Sequence, residues 1–132
     1  MSGLAAYRGQ FVSDAVATAS PARLLTMLYD RLVLDLVRAE QGFRDGSRET
    51  GSNHLLHAQD IVVELRCSLD VDAWSGGPGL AALYTYLLTE LIQANLAADA
   101  DSVARCRSHI EPLRDAWTEA AMRGLQSAEV AS

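Results

Sequence analysis

The chain has 132 residues, 49% hydrophobic and 21% charged, which suits one compact core, leaves no room for a second, and excludes a disordered polypeptide. Its net charge of -6 argues against nucleic acid and anionic membrane as partners, because both need clustered basic side chains. The two cysteines, Cys67 and Cys106, are too few and too far apart for a metal knuckle or a disulfide framework.

The opening stretch MSGLAAYRGQF lacks a basic start followed by a long apolar run, so no secretory leader is expected and the protein is placed in the cytoplasm. Residues 1–19 read as an N-terminal arm, with Leu4, Tyr7, Phe11 and Val16 isolated among small residues. At Ser20-Pro21 a hydroxyl can accept an early orphan N–H while proline takes the first helical position, so the first helix starts at about Pro21. It is expected to stop in RDGSRETGS, residues 44–52, where Gly46 and Gly51 bracket a polar loop.

Ser52 or Asn53 then caps a second helix whose core stripe is Leu55, Ala58, Ile61, Val62, Leu65 and Leu69, at alternating steps of three and four. Pro78 starts a third helix that runs to about Asp99. Thr85, Thr89 and Gln93 recur along it with Glu90 mid-segment, which describes an amphipathic helix rather than a membrane span. Asp101 or Ser102 caps the fourth, where Val103, Cys106, Ile110, Leu113, Trp117 and Ala120 keep the same spacing. Pro112 inside that pattern predicts a kink near Ser108.

No strand alternation competes, so the fold class is all-α: an antiparallel up-down four-helix bundle with a short N-terminal arm. Residues 1–132 form one domain, with the bundle over 20–126 and a frayed tail over 127–132. Leu28, Leu32, Leu65, Ile110 and Trp117 are the expected core.

The helices carry more apolar residues than one buried face needs. Met27, Leu34 and Val37 fall outside the first helix's arc; Leu56, Val63 and Cys67 form a second row on the second helix. On the third, Leu80, Leu83, Tyr84, Leu87, Leu88, Leu91, Ile92 and Ala94 cover about half the circumference, against the ~100° stripe of a peripheral bundle helix. A large apolar side chain left in water forgoes ~1.5–3 kcal/mol of burial, so a partner helix or a second copy is expected to cover the excess.

Motifs for chemistry are missing. No glutamate has histidine three positions later, as a carboxylate-bridged di-metal site in a bundle requires. His54 and His57 share a side of the second helix, but His57 points to its polar arc and spacing specifies no partner carboxylate. There is no Gly-x-Ser-x-Gly elbow and no phosphate-cradling glycine loop with lysine. The sequence therefore predicts no catalytic residue, no metal and no cofactor, with a ferritin-type oxidase as a distant third reading.

Four motifs, in order, carry a resemblance. TASPARLLTMLYD (18–30), AQDIVVEL (58–65), LAALYTYLLTELIQAN (80–95) and LRDAW (113–117) are similar to the signatures of the FliS family of flagellin export chaperones. The loop AWSGGPGL departs from the family's usual longer lead into the third helix, and Pro112 is atypical. The resemblance implies a cytoplasmic helical bundle that binds the disordered C-terminal segment of flagellin and prevents premature polymerisation before type III export. It also makes Tyr7 a lid, on an arm that shields the groove.

Motif position combined with helical exposure gives Leu56, Val63, Tyr84, Leu87, Leu91 and Asn95 as groove contacts. A co-chaperone or an anti-sigma factor is left open as a second partner. The free protein is expected to be a monomer or a weak homodimer; the alternative reading is a self-associating helical structural or adaptor protein whose exposed rows form a homodimer.

Overall fold

The computed structural model describes residues 21–131, with side chains as far as residue 124. Four helices follow in order: α1 (Pro21–Arg44), α2 (Arg48–Ser68), α3 (Gly77–Ala97) and α4 (Ala100–Ala131). Short connections make sequential helices antiparallel neighbours. α1 lies against α2 and α4, α3 lies against the same two, and α1 and α3 face each other across the core. No helix among the described residues is long and apolar enough to cross a membrane.

The first turn is tighter than the sequence suggested. α2 begins at Arg48 rather than after Ser52, because Ser47 is its cap, accepting from the Thr50 N–H at 3.2 Å. Gly46 supplies the left-handed corner at φ 81°. Gly51, expected in the loop, sits inside the helix for another reason: a Cβ there would lie 2.2 Å from the Phe43 ring, so glycine lets that ring seal the α1–α2 corner.

α3 opens with Pro78 in its first turn and closes on Ala98, a left-handed alanine at φ 50°. The cap of α4 is Asp99, two or three residues before the expected Asp101 or Ser102. Its carboxylate accepts from the N–H groups of Asp101 and Ser102 and from the Ser102 hydroxyl at 2.7 Å. Pro112 lies within one continuous α4, which runs on to Ala131 where a frayed tail was expected.

Leu28, Leu32, Leu65 and Ile110 are buried as expected, and Trp117 is partly buried at the edge of the core. At the centre the hydroxyls of Tyr29 and Tyr84 bond to each other across the α1–α3 diagonal, and burial pushes the Tyr84 phenol far up, with Tyr29 adding to it. A seam of ions fastens α1 to α4: Glu40 accepts from Arg107 at 2.8 Å and from Arg44 at 3.0 Å, and Arg44 reaches Asp101 at 3.2 Å.

Candidate partner-binding surface

The seven residues singled out by sequence divide into three groups. Tyr7 lies outside the described residues. Leu56 is 49% exposed, and Val63 and Asn95 are half-buried. Tyr84, Leu87 and Leu91 are 2%, 1% and 1% exposed, which corrects the expectation that they lie on open surface. The reason is the diagonal placement of α3: with Leu80 and Ala94 these side chains form the seam that fills the space between α2 and α4.

The apolar excess of α3 is displaced to its flank, at Tyr86, Ile92 and Leu96, which are 50%, 44% and 75% exposed. The sequence reading had Ile92 in its broad arc but missed Tyr86 and Leu96. The signal was a helix whose apolar positions outnumber one seam, and the seam's direction was needed to sort them.

Helical geometry assembles these residues into a surface. On α2, Leu56, Val63 and Cys67 project within about 40° of one another. His54 and His57, on the opposite flank, turn toward Asp35 of α1, so the row of three faces the α3 side. On α3, the Tyr86 ring meets His109 of α4 edge-on at 6.0 Å and so marks the α4 side. Ile92 lies about 120° round from Tyr86 and turns toward α2, with half-buried Leu88 beside it. Arg48 of α2 donates to the Leu96 carbonyl at 3.3 Å and sets the end of α3 beside the start of α2. The result is an apolar strip along α2 and α3, edged by the amides of Gln59 and Asn95.

A second concavity lies at the opposite end of the bundle. A cavity of about 490 Å³ opens between the start of α1, the end of α2, the following loop and the start of α3, with Trp117 of α4 on one wall. Leu25, Leu28, Leu65, Leu69, Leu80 and Trp74 are among its apolar lining, and Glu64 and Asp70 are its only charged groups among the described residues.

The described groups offer little for catalysis. Burial, reinforced by Glu90, pushes the Cys106 thiol up to about 11, so it is a poor nucleophile. His57, expected on a polar surface arc, instead bonds through Nδ1 to the fully buried Asp35, with His54 Nδ1 at 3.5 Å and Arg31 Nε at 3.4 Å from the same carboxylate. That cluster ties α1 to α2. Among the described residues no group of three or more His, Cys, Asp or Glu is placed to hold a metal ion.

The comparisons agree with the motifs. The family model described as flagellar protein FliS matches residues 3–124. The chain is 35% identical over 119 residues to the flagellar secretion chaperone FliS of Escherichia coli K12, covering 89% of the chain and 88% of that relative. It is 33% identical to the protein of the same name from Salmonella typhimurium LT2, with 89% of each covered. The Bacillus subtilis 168 relative, also named flagellar secretion chaperone FliS, is 29% identical over 110 residues, 83% of the chain and 82% of the relative.

Proposed function

The chain belongs to the FliS family, and from that premise we propose that it is a flagellar secretion chaperone whose client is flagellin. The chaperone holds the disordered C-terminal segment of flagellin in the cytoplasm, before export, and no bond is made or broken. The observation that carries this reading is the α2–α3 strip, where Leu56, Ile92 and Leu96 are 49%, 44% and 75% exposed on a small bundle. Ordering an unfolded client costs free energy that only a long apolar contact can exceed, and a strip running along two helices offers that length.

In this reading Leu56, Val63, Ile92 and Leu96 touch the client, Asn95 bonds its backbone, and Tyr7 on the N-terminal arm covers the strip until the client arrives. Tyr84, Leu87 and Leu91 act from beneath by holding α3 in place. The test is calorimetry with a peptide of the flagellin C-terminal segment. Saturable binding with a negative heat-capacity change is expected, as apolar burial requires. The absence of both ends the reading. Removal of residues 1–15 is expected to speed association, and an unchanged rate removes the lid. Sedimentation of the free protein and of the mixture separates client binding from self-association through the same strip.

A further inference from the structure

Gln59 interrupts the apolar row of α2 with a group its neighbours cannot supply. It follows Leu56 by three positions and precedes Val63 by four, so the three side chains share one face of the helix. Gln59 is half-buried there, and its Nε2 is fully covered with no hydrogen-bond partner among the described residues. The bond from Arg48 to the Leu96 carbonyl fixes the register of α2 against α3. The same count of residues from Arg48 to Gln59 and back from Leu96 sets Gln59 roughly level with Thr85, whose hydroxyl turns back to the Ala81 carbonyl at 3.1 Å. The amide therefore stands partway along the strip, where α3 presents small side chains.

A covered N–H2 without an acceptor destabilises the free protein, and leucine would complete the row without that penalty. The donor acquires a use when an unfolded segment lies on the strip. Main-chain carbonyls of that segment lose water against Leu56 and Val63, which have nothing to give them. We infer that Gln59 is a main-chain anchor for the client: its carboxamide turns outward and donates Nε2–H to a carbonyl of the bound segment. A carboxamide suits a peptide group, since it holds a donor and an acceptor side by side. The inference rests on the chaperone reading and adds to it a residue that sets register, where apolar contact supplies only area. Asn95 stands further along α3, about 15 Å from the level of Thr85 at the helical rise, so the two amides bracket one stretch of client.

The test uses the full chain, the flagellin C-terminal peptide, and a series of that peptide in which single amides are replaced by esters. An ester removes one N–H and weakens the carbonyl joined to it as an acceptor. Gln59→Leu is expected to leave the melting temperature of the free protein unchanged or raised, because it removes the orphan donor. In calorimetry the same variant is expected to bind the unmodified peptide about tenfold more weakly, the effect of one hydrogen bond. One ester position, or two adjacent ones, is expected to weaken binding to the parent several-fold and to add nothing to Gln59→Leu. Gln59→Glu keeps the shape and the acceptor but loses the donor. It is expected to fall with Gln59→Leu and to be blind to the same esters, and it carries the test where the leucine variant does not fold.

Equal or tighter binding by Gln59→Leu would show that the residue meets the client only as apolar surface, and overturns the anchor while leaving the chaperone reading intact. Esters that weaken the parent and the variants alike overturn it as well. Full affinity in Gln59→Glu places the contact at Oε1 and overturns the donor assignment. No binding of the unmodified peptide to the parent removes both the anchor and the chaperone reading.

Discussion

Asp35 shows what single residues contribute and what sequence hides about them. Periodicity places it on the margin of the α1 core arc, yet it is fully buried, and His54, His57 and Arg31 all direct nitrogen atoms at its carboxylate. The two histidines were legible as a pair one turn apart; their partner lies on another helix, and no spacing rule reaches across a loop. Asp35→Ala removes the buried acceptor on which two helices converge and leaves His54, His57 and Arg31 without it, so it is expected to cost about 3 kcal/mol. Urea unfolding measures this, and a loss below ~1 kcal/mol would show the cluster to be solvated rather than structural. Ala98 presents the opposite case. It ends α3 in a left-handed conformation that disfavours any Cβ, and Ala98→Gly is expected to stabilise the protein by about 1 kcal/mol, readable as a melting temperature raised by a few degrees.

At the level of the helices, existence and order were legible and several boundaries were not. Pro21 and Pro78 announced two starts because a first-turn proline gives up no intrahelical hydrogen bond, whereas Pro112, inside α4, announced no boundary. Gly51 misled because glycine marks both loops and close packing, and only the Phe43 ring decides between them. What fastens one helix to the next is partly ionic, and this has a pH signature. Burial pushes the Glu40 carboxyl up, but Arg107 and Arg44 outweigh it and hold Glu40 below its ordinary value; the Ser102 hydroxyl and N–H do the same for Asp99 at the α4 cap. A carboxyl depressed in the folded state stabilises above its unfolded pKa and loses that contribution as pH falls through the folded one. The α1–α4 seam and the α4 cap are therefore expected to weaken below about pH 4. Glu40→Gln should be less stable than the parent at neutral pH and converge with it in acid. Parallel denaturation curves at pH 7 and pH 3 check the sign; an unchanged difference between the two proteins would place the seam's contribution elsewhere.

For the whole molecule, the excess of apolar residues was legible but its address was not. α3 has two duties along one sequence: Tyr84, Leu87 and Leu91 close the core, and Ile92 and Leu96 stay in water. Hydropathy alone scores these two sets alike. The packing order, with α3 diagonal to α1, is what separates them, and it divides the consequences of mutation in the same way. Leu56→Asp combined with Ile92→Asp touches only exposed positions, so the melting temperature of the free protein is expected to move little. The client's stabilisation is a different quantity. A ligand at a hundred times its dissociation constant adds about 2.7 kcal/mol to a folded protein, and the double variant is expected to lose most of that rise when the flagellin peptide is present. Leu87→Ala should do the reverse, lowering the melting temperature of the free protein through a cavity worth about 2–5 kcal/mol and leaving the peptide-induced rise of the surviving fold largely intact. Thermal scans of the three proteins, each with and without peptide, give both quantities together. If the Leu87 variant alone lost the peptide-induced rise, the client would have to enter the seam between α2 and α4, and the strip would be a bystander.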